Sequence, residues 1–246
     1  MPVDYSNTDY LNSVHVDNIM ECFPRFSGNS VRLWAVNFVA SYIFDLPNTE
    51  WVADFVCGKS GLTVYLNKYF KVTGFDNGRD NFHKVDRNGF EYEGVPVDLG
   101  DCGNTQLPSR HFDCSYMMDA WWWVKKNPKK AADYYSKISK DEADWTQKEY
   151  ERILREMCRV TNRRVIVVDK ESIELRGGSG RYGWDKASTI KLLEDEGFEV
   201  GWDGIEYPSS NVVDQVLAVS QREEKNYTRI AYYGVGIVAD RREDSI

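Results

Sequence analysis

Between Asn29 and Asp45 the apolar residues Val31, Trp34, Ala35, Phe38, Val39, Tyr42 and Ile43 recur every three or four positions, which predicts a helix. Leu46-Pro47-Asn48 stops it. Short apolar runs then alternate with helical patterns. Trp51–Val56, Lys71–Asp76, Phe90–Val97, His111–Met118 and Arg164–Asp169 read as strands. The last of these, RVIVVD, is apolar on both faces, as a central parallel strand must be. Ser60–Tyr69 reads as a short helix with Leu62, Tyr65 and Leu66 inward. Thr146–Val160 places Tyr150, Ile153, Leu154 and Met157 on one helical face. Lys186–Glu196 follows, with Asp185 as its N-cap and Gly197 as its stop. Phe198–Trp202 and Arg229–Val238 add two late strands.

Strands alternating with helices predict an α/β fold: a doubly wound, mostly parallel seven-stranded sheet with helices on both faces. Residues 1–50 are expected to form an N-terminal helical segment and possible lid, with Tyr5, Tyr10 and Phe23–Phe26 as candidate covering residues. The main domain is expected over 51–246, with a helical or loop insertion around 121–148.

Charge and cysteine usage narrow the function classes. The net charge is -8 and the pI about 5.1, which favours a small-molecule or polar acceptor over nucleic acid as partner. The five cysteines form no CxxC pair and the three histidines show no metal-ligand spacing, so no disulfide framework and no metal site is expected. With no apolar run long enough to span a bilayer and no signal-like start, the expectation is a soluble, cytoplasmic chain.

WVADFVCGKSG, residues 51–61, allows two readings. Ala53, Gly58, Lys59 and Ser60 fit a loose phosphate-loop pattern, which would set the strand at Leu46–Val52, across Pro47 and Asn48. In the other reading Trp51–Val56 is the strand, the loop after it cradles a nucleoside-bearing cofactor, and Asp76 ends the next strand. A carboxylate there suits a ribose diol, which donates twice to a group that only accepts.

The second reading resembles the class I S-adenosylmethionine-dependent methyltransferases. VADFVCGKSG is similar to their first motif and VTGFD to their second. GDCGNTQLPSRHFDCSYMMDAW (Gly100–Trp121) is similar to the run from the adenine-contacting acid to the residues below the methyl donor. LREMCRVTNRRVIVVD and EDEGFEV resemble the later helix–strand units, in the family's order. The resemblance implies S-adenosyl-L-methionine as cofactor. It places Asp54, Cys57, Gly58 and Gly61 at its methionine and sugar portion and Asp76 at the ribose. Asp101 and Cys102 go to the adenine, where Asp98 competes with Asp101, and Met118 lies near the donor. Asp119, at the end of the fourth strand, either orients and deprotonates an acceptor or caps a helix. Asp113 reads as structural. Trp121, Trp122 and Tyr182 are candidate substrate walls, although of Trp121-Trp122-Trp123 not all can face inward. Two departures stand out: Val56 and Ser60 occupy family glycine positions, and Thr161-Asn162-Arg163 replaces the usual PGG turn. They leave room for a second function, a binding or scaffold protein that keeps the fold without the reaction.

Overall fold

The computed structural model describes residues 30–78, 90–121, 123–124, 140–174, 184–206 and 230–243. Its elements in chain order are α1 (Ser30–Phe44), β1 (Trp51–Phe55), α2 (Gly61–Leu66), β2 (Lys71–Phe75), β3 (Phe90–Tyr92), β4 (Val95–Asp98), β5 (Phe112–Met118), α3 (Lys140–Val160), β6 (Thr161–Glu174), α4 (Lys186–Asp195), β7 (Phe198–Glu206) and β8 (Ile230–Arg241).

One sheet runs β3-β4-β2-β1-β5-β6-β8-β7. β4, β2, β1, β5 and β6 are parallel, whereas β8 is antiparallel to both β6 and β7. The strand order reverses between β1 and β5, leaving a crevice at their carboxyl ends where ligands of open α/β sheets bind. Among the described residues the sheet has eight strands rather than seven. The run expected as a single strand over 90–97 folds back at Glu93-Gly94, both at positive φ (50° and 80°), so β3 pairs antiparallel with β4.

Alternation along the central strands assigns residues to faces. Val52, Cys114, Tyr116, Ile166 and Val168 pack with α1 and α2 on one side. Ala53, Phe55, Met117, Val165 and Val167 pack with α3 and α4 on the other. Each buried aliphatic or aromatic side chain contributes about 1.5–3 kcal/mol. Phe38, Val39 and Ile43 of α1 are fully buried against the strands, so the boundary expected at residue 50 is not a break in packing. Residues 1–29, which include the aromatic residues expected to form a lid, lie outside the described residues.

α3 begins six residues earlier than the periodicity predicts, with Asp141 and Glu142 in its first turn and Arg159 in its last, each at the favourable end of the helix dipole. It runs into β6 without a connecting loop. The Thr161 hydroxyl makes the transition by donating to the Met157 carbonyl at 2.6 Å, and its oxygen is 2.6 Å from the Ser115 hydroxyl. The Thr-Asn-Arg sequence in place of PGG therefore starts the strand itself. Residues 125–139, most of the expected insertion, are outside the described set.

Candidate active site

β1 ends at Phe55 and α2 begins at Gly61, so the glycine loop is residues 56–60. Ala53 lies inside β1, paired with Thr73 and Ser115. The loop required by the phosphate-loop reading is not formed, and Lys59 does not open the helix. Ser60 caps α2 instead, its hydroxyl accepting from the Thr63 amide. Gly74 allows the loop to fold down onto β2: a Cβ there would meet the Cys57 sulfur at 2.8 Å. Cys57 is buried against Val97 and Leu99, and its amide extends the ladder to the Phe75 carbonyl at 3.0 Å. Burial raises its pKa well above the usual thiol range and pushes that of Cys102 up to about 12, so both are neutral thiols.

Asp76, directly after β2, ties together the loops that follow β1 and β2. Its Oδ2 accepts from the Gly58 amide at 3.0 Å and its Oδ1 from the Gly78 amide at 2.7 Å. Its own amide donates to the Asp98 carbonyl at 3.0 Å. Asp76 is only 5% exposed, and its two amide bonds brace the loops.

Val56, in the first family-glycine position, has φ of 58°, and Gly58 has φ of 51°. A β-branched side chain in this region is strained by about 1–3 kcal/mol. The loop thus keeps the glycine conformation with valine in it, and Val56 packs on the core cluster containing Phe55, Phe75 and Cys102.

Asp54 is not where the resemblance puts it. It shares the Val52 face of β1, beneath α2, and is fully enclosed. There it accepts from the Thr63 hydroxyl and from the Tyr116 hydroxyl, the latter at 2.8 Å. Burial raises its pKa to about 7 against the lowering effect of both hydroxyls. The partners, nine and 62 residues away, leave no local signal in the sequence.

Asp101 lies beyond β4 in a bidentate pair with Arg152 of α3 (3.0 and 2.5 Å), and it also accepts from the Gly103 amide at 2.9 Å. Hydrogen bonding to Arg152 lowers its pKa. A Cβ at Gly103 would meet the same guanidinium at 2.2 Å, so Gly103 makes room for it. The following loop is tied to α3 by Glu156, which accepts from the Thr105 amide (2.8 Å) and hydroxyl (2.6 Å), and by Arg159, which donates to the Leu107 carbonyl at 2.8 Å. Bonding to Arg159 holds the Glu156 pKa down at about 2. Asp98 is exposed at the end of β4, and Cys102 points into the core.

At the end of β5, Met118 is half-buried on the α1 side. Asp119 has φ of 60°, and its amide donates to the Val168 carbonyl at 2.7 Å. The amides of Trp123 and Val124 turn back to the Ala120 carbonyl, so Asp119 precedes a turn. Trp121 is corrected from substrate wall to core: it is fully buried, its amide donates to Asp169 at 2.8 Å and its indole to Gln147 at 3.2 Å. Trp123 is 39% exposed, whereas Trp122 and Tyr182 lie outside the described residues. Asp113 accepts from the Glu50 and Trp51 amides at the opposite edge of the sheet, the structural role expected of it. Arg152 and Asp169 are site-shaping residues that sequence reasoning missed. Asp169 ends the apolar run Val165–Val168 inside β6, as Asp76 ends the run of β2, and that is the available signal.

The chain has many structural counterparts among solved structures. A magnesium protoporphyrin IX methyltransferase from Synechocystis PCC 6803, solved with bound SAM, aligns over 98% of this chain and 99% of its own at 17% identity and a TM-score of 0.50. The fold is that of the class I S-adenosylmethionine-dependent methyltransferases. A Listeria monocytogenes structure described as a putative S-adenosylmethionine-dependent methyltransferase covers 85% of this chain and 99% of its own, at 12% identity and 0.52. The cyclase SpnF shares the methyltransferase fold too, at 14% identity, 86% and 80% coverage and 0.52. No family model matches the chain, and no curated relative does. Among the described residues no helix is long and apolar enough to cross a membrane, and no cluster of His, Cys, Asp or Glu could hold a metal ion.

Proposed function

We propose that the protein binds S-adenosylmethionine across the carboxyl ends of β1, β2 and β4 and passes its methyl group to a nitrogen or oxygen of a small polar acceptor. The observation that carries this reading is the bond between the Gly58 amide and Asp76. It sets a glycine turn and a carboxylate side by side at the point where the strand order reverses. A carboxylate oxygen can accept more than one hydrogen bond, so Asp76 is proposed to take the ribose hydroxyls as well. Asp101, held by Arg152, is proposed to accept from an adenine amino group, with Asp98 as the alternative acceptor. Gly58 and Gly61 are proposed to let the cofactor approach the loop backbone, while Cys57, Cys102 and Met118 pack behind the crevice rather than line it. The sulfonium supplies the leaving group, so the protein needs only to align the acceptor and take its proton. Asp119, raised on its positive-φ turn, is the base in this scheme, and Trp122 and Tyr182 are proposed to contact the acceptor. The acidic net charge supports a small acceptor over nucleic acid, and five cysteines at wide spacing fit a reducing, cytoplasmic setting.

Val56 favours a second reading, a methyltransferase-fold protein that has lost the reaction. SpnF, named for a cyclase, illustrates that this fold serves other ends. Calorimetry with S-adenosylmethionine and S-adenosylhomocysteine separates the two. Saturable binding by the wild type, tightened severalfold in Val56→Gly, is expected. Binding only by Val56→Gly would favour the silent protein, and binding by neither would exclude the cofactor.

A further inference from the structure

The glycine loop, residues 56–60, joins β1 to α2, and a cluster of buried oxygens ties the two ends of that loop together. Asp54 stands in β1 just before the loop and Thr63 in α2 just after it. The Thr63 hydroxyl meets Asp54 Oδ2. The Tyr116 hydroxyl meets both, Asp54 Oδ2 at 2.8 Å and Thr63 Oγ1 at 3.3 Å. Register with β5 sets Tyr116 opposite Asp54, and all three side chains are buried.

Three oxygens in mutual contact need three protons, one for each hydrogen bond. Thr63 and Tyr116 bring one each, and Asp54 supplies the third only when its carboxyl is protonated. The ring then closes, each oxygen donating once and accepting once. When Asp54 ionises, both hydroxyls turn to it and the contact between Thr63 and Tyr116 is left without a proton. The neighbouring charges oppose that ionisation as well. Burial, with a smaller push from Asp76, raises the Asp54 pKa to about 7 against the two hydroxyls, and an ionised Asp54 in turn raises the pKa of Cys57. Burial holds Tyr116 neutral, its pKa well above the usual phenol range. Lys59 is exposed, Tyr65 of α2 packs on Phe44 and Tyr69, and Tyr42 of α1 answers to Arg164 and Asp45.

We infer that the Asp54–Thr63–Tyr116 ring is a proton-operated latch on the glycine loop: closed, it holds residues 56–60 in their ligand-binding shape, and ionisation of Asp54 slackens them. Thr63 and Tyr116 are thereby positioning residues that act on the loop through Asp54. The link to the site runs through the loop itself, because Ser60 accepts from the Thr63 amide and Gly58 donates to Asp76. The effect on cofactor affinity rests on the S-adenosylmethionine reading; the effect on the loop does not.

Amide hydrogen exchange of the full chain without ligand, corrected for the intrinsic pH dependence of exchange, reads the loop directly. Peptides covering residues 56–63 should exchange severalfold faster at pH 8 than at pH 6 in the wild type. In Asp54→Asn, whose carboxamide keeps a donor and an acceptor at both pH values, the two rates should be equal. Calorimetry with S-adenosylhomocysteine, which lacks the sulfonium charge, reads the site. Affinity should be about fivefold lower at pH 8 than at pH 6 in the wild type and constant in Asp54→Asn. Thr63→Val removes a hydroxyl that steadies the ionised carboxyl, so the loosening near pH 7 should move to higher pH in both readouts, and Thr63→Ser should bring it back. A merely structural role for Thr63 would weaken binding without moving the profile. The latch is overturned if Asp54→Asn keeps the wild-type exchange ratio or if Thr63→Val leaves the midpoint in place. Affinity independent of pH also overturns it, while leaving the cofactor reading intact. Exchange that behaves as expected, with no S-adenosylhomocysteine bound at either pH, upholds the latch and overturns the cofactor instead.

Discussion

Asp76 accepts from two backbone amides on different loops, so one carboxylate braces the loops around the proposed cofactor site. Asp76→Ala should therefore do two things. Loss of a charged acceptor for Gly58 and Gly78 should destabilise the fold by about 2–3 kcal/mol, read as a lower urea midpoint. Affinity for S-adenosylmethionine should fall by roughly 30-fold or more. An unchanged midpoint would show that water replaces both bonds. The sequence carried the position of Asp76, because a carboxylate ending a strand about 20 residues after a glycine turn is a local pattern. It did not carry the bracing, which depends on where Gly58 and Gly78 come to rest. Trp121 failed for the same reason: its burial follows from Asp169 and Gln147, 48 and 26 residues away.

At the scale of elements, Asp54 of β1, Thr63 of α2 and Tyr116 of β5 form one buried polar knot that pins a six-residue helix to the sheet. With the Asp54 pKa raised to about 7, the fold holds the protonated form more tightly than the unfolded chain does. This group therefore stabilises at acid pH, and its contribution is lost as pH rises from the ordinary carboxylate range through about 7. Wild-type stability should be about 2 kcal/mol lower at pH 8 than at pH 5 on this account, and Asp54→Asn should flatten that difference. Urea midpoints for both proteins at the two pH values check it; parallel curves would remove Asp54 as the cause. Glu156 titrates below this window, its pKa being lowered to about 2. The elements themselves were legible from periodicity, because burial on two faces writes itself into the order of apolar residues. The extensions of α3 and β6 were not. The first turns of α3 are polar, and β6 continues through Lys170-Glu171-Ser172, where pairing with β8 outweighs composition.

For the whole molecule, the sheet's two edges divide the chemistry. The carboxyl ends of the parallel strands gather Gly58, Asp76 and Asp119, and the amino ends gather the arginines around β6 and β8. The strand order itself has a consequence for how the chain is made. β8 comes last among the strands in sequence, yet it lies inside the sheet, paired with β6 from Arg164–Asp240 to Glu174–Ile230 and with β7 on its other side. On the ribosome, the chain up to β7 emerges with β6 presenting an open edge and β7 with no partner. The slot between them is filled only when residues 230–241 leave the exit tunnel. Protein synthesis, rather than local propensity, then sets when the sheet closes, and the unfilled β6 edge is the segment exposed to aggregation or chaperones meanwhile. A chain ending at residue 229 should be cut rapidly within β6 and β7 by pulse proteolysis, while the 246-residue chain resists. Equal resistance would mean that β6 and β7 are secured without the strand between them.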